Sequence, residues 1–174
     1  MTHKQRLRRA AILCCHCLRN LAFYKAGWHR GAPKFKGQFW TNANGNFLDI
    51  CVLEWCKLFG DKSGKHYWRK IISEPEAFFQ GFLDKAGITE SEFNDHIKEM
   101  RTYRDKFVAH LDSEEIMQIP TLSITLKSAS YLYDYLLANE GEPGTFDDAP
   151  KNASTFYNRF LKDGKKTYEA RKDS

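Results

Sequence analysis

Apolar residues recur at helical spacing along most of this chain. Two long stretches, residues 4–25 and 41–59, place them three and four positions apart, and Gly27 and Gly60 follow as stop signals. No segment alternates apolar and polar residues as a half-buried strand would, and no internal repeat is visible. The pattern therefore predicts an all-α helical bundle. The two predicted buried stripes are Leu7, Ala11, Cys14, Leu18 and Leu21, and then Leu48, Cys51, Val52, Trp55, Leu58 and Phe59.

Start and stop signals divide the rest of the chain into shorter helices. Pro75 suits the first turn of a helix that would end at Gly87, and Thr89 with Glu92 forms a capping box for a helix that continues to about residue 110. A short helix is predicted at 66–72, another between Pro120 and Gly141, and loops at 27–37, 61–65 and 141–153. We expect a single domain over 1–174, in which residues 150–174 form a short basic C-terminal helix as a helical extension.

The C-terminal half also gives a list of expected core residues. The helix after Pro120 carries Leu122, Leu126, Ala129, Tyr133 and Leu136 at heptad-like spacing, and the helix before it carries its own apolar stripe. The side chains predicted to be largely buried are Phe93, Ile97, Met100, Phe107, Leu122, Leu126 and Leu136.

Charge is distributed unevenly along the 174 residues. Residues 1–48 contain nine Lys or Arg and no acidic residue, residues 49–150 contain eleven basic and nineteen acidic residues, and residues 151–174 contain seven and three. Basic ends around an acidic middle suggest an anionic partner such as RNA, DNA or a phosphate-bearing molecule, although solvated basic helix faces explain them equally well. No apolar run is long enough to span a bilayer, so no membrane association is expected.

Five cysteines include the cluster Cys14-Cys15-His16-Cys17. An odd number in a chain of this length favours a reducing cytoplasmic location over a secreted disulfide framework. Cys14 and Cys17 would be close enough on a helix to share a metal, but no second ligand pair follows at zinc-finger spacing. Buried thiols are therefore the preferred interpretation, and no metal or other cofactor is expected.

The helix that begins at Thr89 contains the most informative pattern. Its apolar stripe is interrupted by Arg104, whose guanidinium must find acceptors, lie at the rim or serve something anionic. Beside the stripe, His96, Tyr103 and His110 follow one another at seven-residue intervals and so lie nearly in register on a regular helix. Lys106 lies between the last two of them.

The string RDKFVAHLD, which runs from Arg104 through His110, resembles the signature of the HEPN superfamily. That signature is an arginine, a polar residue such as Asn or Asp directly after it, and a histidine separated from the arginine by roughly four to six residues. The match resembles most closely the HEPN proteins linked to phage abortive infection, and the stretch EWCKLFGD, at residues 54–61, resembles them more loosely. The helical layout predicted for the chain agrees with a HEPN-like bundle.

The resemblance implies a metal-independent endoribonuclease that acts through the 2′-hydroxyl of RNA, in a toxin–antitoxin or phage-defence role. It implies that His110 transfers protons, that Arg104 holds the scissile phosphate, and that Asp105 orients one of these two side chains. Tyr103 and Lys106 are the candidate substrate-binding residues. The chemistry suits them, because a histidine near neutral pKa exchanges protons and a guanidinium binds phosphate oxygens.

The spacing of Arg104 and His110 favours assembly into a dimer. Arg104 and His110 would project about 120° apart on a regular helix, so a two-fold dimer that buries the face from His96 to His110 in a shared cleft would let the motifs meet. The resemblance also implies an antitoxin or nucleotidyltransferase partner.

The alternative function is that of a non-catalytic HEPN-like module that binds RNA, nucleotide or a partner protein. A DNA-binding function has less support, because no convincing helix-turn-helix is present.

Overall fold

A computed structural model describes residues 2–35, 37–109 and 118–170. Within them the chain folds into helices and one antiparallel pair of two-residue strands, β1 and β2, in which Trp28 faces Pro33. Three helices end in a π-helical turn. The elements are α1 His3–Ala26, β1 Trp28–His29, β2 Ala32–Pro33, α2 Gln38–Trp55 with the π turn Cys56–Gly60, a 3₁₀ turn Trp68–Lys70, α3 Pro75–Ala86, α4 Glu90–Tyr103 with the π turn Arg104–Ala109, α5 Leu122–Tyr135 with the π turn Leu136–Glu140, and α6 Ala153–Ala170.

The predicted all-α bundle is confirmed, and α1 is its central helix. It packs against α2, α5 and α6, so residues on several of its faces are buried. Many of these side chains are small, which allows the neighbouring helices to approach closely. The two stripes predicted from the first half of the sequence are buried as expected. None of the helices within the described ranges combines the length and the apolar character that crossing a bilayer requires.

Helix α6 is longer than the short C-terminal helix predicted, and it packs along α1. Gly164 permits this contact, because a Cβ atom at that position would lie 2.7 Å from Cβ of Ala26. Tyr157 and Tyr168 are buried by the packing. The aromatic spacing in this segment predicted a helix, but the length followed only from the partner surface that α1 provides.

The predicted helix ends agree with the structure at the sharpest signals. Pro75 begins α3, and Gly87 ends it with a left-handed backbone at φ 64°. Thr89 accepts a hydrogen bond from the amide of Glu92 at 3.2 Å, and the Glu92 carboxylate accepts one from the Thr89 amide at 2.7 Å. The segment predicted as a helix at 66–72 is only the 3₁₀ turn, and the predicted loop at 27–37 contains the strand pair.

Trp55 connects α2 to α4 and α5 in the core. Its indole N–H donates to Oγ of Ser128 at 2.8 Å, and its ring lies 4.9 Å from the imidazole of His96. His96 in turn shares a hydrogen bond of 3.0 Å with the Thr125 hydroxyl. Hydrogen-bonded polar side chains therefore occupy the centre of the bundle.

This polar layer changes the face that α5 buries. The buried residues of α5 and its π turn are Thr125, Ser128, Ala129, Leu132, Tyr133 and Leu136. Phe93, Met100 and Leu136 are buried as predicted, whereas Ile97, Phe107, Leu122 and Leu126 are only half-buried. The hydropathy pattern did not predict this buried face of α5, because Thr125 and Ser128 are polar residues. Each of them nevertheless has a hydrogen-bond partner inside the core.

Acid should destabilise the protein through His96. Burial lowers the pKa of His96 to about 4, although the Glu99 carboxylate, 3.7 Å from Nδ1, opposes the shift. His96 therefore binds a proton less readily in the folded state than in the unfolded chain, where it binds one near pH 6.5. We expect the free energy of unfolding to be unaffected above pH 6.5 and to fall by about 3 kcal/mol in total as the pH falls towards 4.

Urea unfolding at several pH values measures this loss. In His96→Gln the slope of stability against pH between 6.5 and 4 should be smaller than in the wild type. In the control His3→Gln, at an exposed position, the slope should equal that of the wild type. A slope in His96→Gln equal to that of the wild type would contradict the assignment.

Candidate functional site

Arg104 is the first residue of the π turn that follows α4. Its Nη1 donates to Oδ1 of Asp61 at 2.5 Å, and its Nε donates to Oδ1 of Asp105 at 2.8 Å. The side chain is 18% exposed. The guanidinium that interrupts the apolar stripe has therefore found acceptors while it keeps an edge open to solvent.

Asp61 comes from a different part of the chain. It directly follows the π turn that ends α2, and this turn packs against α4. Asp61 is the last residue of the stretch EWCKLFGD, so the two stretches on which the HEPN resemblance rests meet through one ion pair. Asp61 was not predictable as the partner of Arg104, because an acidic residue in a turn gives no signal of the cation it will contact.

The charges of Asp61 and Asp105 act on Arg104 where the end of α2 meets the end of α4. The hydrogen bond to Asp105, and after it the one to Asp61, raises the pKa of Arg104 despite its partial burial. The nearby Cys56 thiol is buried, which raises its pKa to about 12. The Cys56 thiol therefore stays protonated near neutral pH. Of the five N–H donors of a guanidinium, two donate to these carboxylates in the hydrogen bonds that the described residues make.

The two predicted substrate-binding residues lie beside Arg104 but face elsewhere. Tyr103 is buried, and its hydroxyl donates to Oδ1 of Asp49 on α2 at 2.8 Å. Burial and this hydrogen bond raise the pKa of Tyr103. Lys106 is half-buried and lines, with Tyr103 and Phe107, a surface cavity of about 430 Å³.

The expected line of His96, Tyr103 and His110 is not a shared surface. His96 is 1% exposed and belongs to the core, so it cannot line a cleft between two protomers as predicted. The helix also becomes π-helical after Tyr103, and i→i+5 bonding ends the seven-residue register on which the line depended. His110 lies outside the described residues, so the structure describes Arg104, Asp105, Tyr103 and Lys106 of the predicted site.

A group of cations surrounds His66, close in sequence to Asp61. Burial lowers the pKa of His66, and the charges of Arg9, Lys57, Lys65 and Arg6 lower it further. Lys57 is ion-paired with a carboxylate in the preceding turn. Nδ1 of His66 and Nε of Arg6 are buried with no hydrogen-bond partner in the described part of the chain. His66 and these four basic residues are here called the His66 cluster.

The cysteine cluster is part of the core. Cys14 and Cys17 are buried, and Sγ of Cys17 lies 3.6 Å from Sγ of Cys51. Over the described ranges, no three His, Cys, Asp or Glu side chains are grouped as a metal site requires.

Comparison of the chain with protein-family models, with curated proteins and with solved structures finds no match.

The ion pair between Arg104 and Asp61 should contribute measurably to stability. In a double-mutant cycle of Arg104→Ala and Asp61→Ala, we expect a coupling free energy of about 1 kcal/mol, because the pair is hydrogen-bonded but partly exposed. Urea unfolding of the four proteins measures it. A parallel cycle with Arg159→Ala, an exposed arginine on α6 that pairs with Asp163, should show no coupling to Asp61→Ala. Additive effects of the first pair would contradict the contact.

Proposed function

We propose that this protein is a metal-independent endoribonuclease of the HEPN type. The observation that carries the proposal is the position of Arg104, held between Asp61 and Asp105 with one edge open to solvent. A guanidinium fixed in this way can bind phosphate oxygens through its remaining N–H groups without losing its orientation. The π turn that carries it supports the same proposal, since such turns occur often at functional sites.

The reaction needs only groups that RNA and this motif supply. The 2′-hydroxyl of the substrate loses its proton to a base, and its oxygen bonds to the adjacent phosphorus. The bond from phosphorus to the 5′-oxygen breaks, and that oxygen takes up a proton. The products are a 2′,3′-cyclic phosphate and a 5′-hydroxyl. In this scheme His110 exchanges the protons, and Arg104 offsets the charge that develops on the phosphoryl oxygens.

The His66 cluster supports an RNA substrate. Its cations lie on α1, on the π turn that ends α2, and in the turn after Asp61, the carboxylate partner of Arg104. Lysine and arginine side chains in such a cluster contact phosphates of any sequence. The cluster would therefore hold an RNA strand by its backbone without reading its sequence.

A second candidate function is a non-catalytic HEPN-like module that binds RNA, nucleotide or a partner protein. One observation favours it: two carboxylates already neutralise the guanidinium, as in a purely structural ion pair. Either candidate function is compatible with a role in abortive infection. Either is also compatible with a toxin–antitoxin role that involves an antitoxin or a nucleotidyltransferase partner.

Variants of the motif separate the two candidates. His110→Ala should lower the cleavage rate by about 10²–10⁴-fold, the usual loss for a general acid–base group. Arg104→Lys should fail nearly as badly as Arg104→Ala, because an ammonium does not reproduce the planar fork. Asp105→Asn should be milder, since the amide oxygen can still accept from Nε of Arg104.

A fluorescent RNA in EDTA provides the assay, with circular dichroism to confirm folding. His3→Ala is the matched control, because His3 is exposed at the start of α1, whereas His96→Ala would open a cavity in the core. Wild-type rates in His110→Ala would remove the enzyme proposal and leave the binding module.

A two-fold dimer should carry the active site. We expect a dimeric mass by light scattering at micromolar concentration, with Arg104 of one protomer and His110 of its partner serving one phosphate. Mixing inactive Arg104→Ala with inactive His110→Ala should then restore about a quarter of wild-type activity, because half of the randomly mixed dimers hold one intact site of two. A monomeric mass, or a mixture that stays inactive, would contradict the composite site.

A further inference from the structure

A second cleft lies on the other side of Tyr103, where α1, the strand pair, α2 and α6 meet. Its volume is about 240 Å³, which is below the roughly 300–1,000 Å³ of pockets for drug-sized ligands and suits a single heterocycle. Aromatic rings form much of its wall: Tyr24, Trp28, Phe35, Trp40, Tyr103, Phe107 and Tyr168.

The aromatic walls are held in place before any ligand arrives. Asn44 accepts a hydrogen bond from Nε1 of Trp28 at 3.0 Å, and its amide donates to the Tyr24 carbonyl at 3.0 Å and to the Tyr168 hydroxyl at 3.3 Å. Gly27 makes room for this network, since a Cβ atom there would lie 2.4 Å from Nδ2 of Asn44. One side chain therefore ties three elements around the cleft, which lowers the entropic cost of binding.

Two of the rings are also packed as a platform. The rings of Phe35 and Tyr168 stack with an interplanar angle of 13°, and Trp40 lies 5.1 Å from Tyr168. Phe39, which is 73% exposed, contacts Trp40 edge to face at the outside of this platform. Faces of this kind stack on unpaired bases of single-stranded RNA.

Among the described residues that line this cleft, the charged group is the carboxylate of Asp49. Asp49 lines the cleft, and its Oδ1 accepts the Tyr103 hydroxyl, while no hydrogen bond from the described residues reaches Oδ2. Burial raises the pKa of Asp49. A partly desolvated carboxylate with a fixed orientation gains most from a ligand that presents two N–H donors side by side.

We propose that this cleft binds a guanine base. Among the four RNA bases, guanine alone presents two adjacent donors on its Watson–Crick edge, N1–H and the exocyclic amine. Both would be accepted by Asp49 while the ring stacks on the aromatic wall. Adenine, cytosine and uracil each place an acceptor opposite one of the carboxylate oxygens, which costs a hydrogen bond and adds repulsion.

The cleft is a recognition subsite and not the cleavage site. Asp49 and Asp61 are twelve residues apart along α2 and its π turn, which is about 18 Å at the helical rise. A guanine in the cleft would therefore lie a few nucleotides from a phosphate at Arg104, and Tyr103, beside Arg104, connects the two places. Assigning that guanine to an RNA substrate rests on the proposed function, whereas recognition of the base does not.

Tryptophan fluorescence of the 174-residue protein tests the inference, because Trp28 and Trp40 line the cleft. Guanosine 5′-monophosphate should quench it with at least tenfold higher affinity than the adenosine, cytidine and uridine monophosphates. Inosine 5′-monophosphate, which keeps N1–H but lacks the exocyclic amine, should also bind at least tenfold more weakly. The inosine comparison uses only the wild type, so it does not depend on the folding of a variant.

Asp49→Asn should lose at least tenfold in affinity for guanosine 5′-monophosphate, since its amide turns one acceptor into a donor. The Tyr103 hydroxyl can still donate to the remaining oxygen, so the fold should persist. Asp95→Asn, the same change at an exposed position on α4, is the control and should bind as the wild type does.

Equal affinity for the five nucleotides, or no quenching by any of them, would overturn the guanine assignment whether or not the protein cleaves RNA. Selective binding of guanosine 5′-monophosphate by a protein that cleaves no RNA would instead support this cleft and remove the proposed function. Preferential binding of UUGUU over UUAUU RNA by the Arg104→Ala variant would support placing the base within an RNA strand.

Discussion

The guanidinium of Arg104 cannot leave bulk water without acceptors, and two carboxylates meet this demand. Asp105 is its neighbour, but Asp61 comes from the end of a different helix, so the ion pair fixes where α2 ends relative to α4. Both partners lie at π-helical turns, which place them where regular helices would not. The ion pairs hold the guanidinium of Arg104 in one orientation, and the side chain keeps an edge open to solvent.

Much of the fold was predictable because helix boundaries depend on a few residues that are neighbours in sequence. Pro75, Gly87 and the capping box of Thr89 each act within one turn, and the structure follows them. The misassigned parts depend on partners far away in sequence. Thr125 is buried because the His96 imidazole bonds to it, and α6 extends to Ala170 along a surface that α1 supplies.

In the candidate site, only the residues of the string that begins at Arg104 were predictable. The string from Arg104 carried the resemblance, and its arginine was expected to need acceptors. Asp61 and Asp49 gave no signal, since a carboxylate in a turn or on a helix does not reveal which donor it will meet. His96 misled for the opposite reason: the same spacing suits a catalytic surface and a buried imidazole, and only Trp55 and Thr125 decide between them.

Identification of the RNA ends tests the central claim most directly, since it reports the chemistry and not merely a loss of substrate. The wild-type protein, incubated in EDTA with a single-stranded RNA, should leave 2′,3′-cyclic phosphate and 5′-hydroxyl ends. It should leave intact a matched strand that contains only deoxyribose, because that strand lacks the nucleophile. Intact RNA, cleavage of the deoxyribose strand, or fragments with 5′-phosphate and 3′-hydroxyl ends would contradict the account.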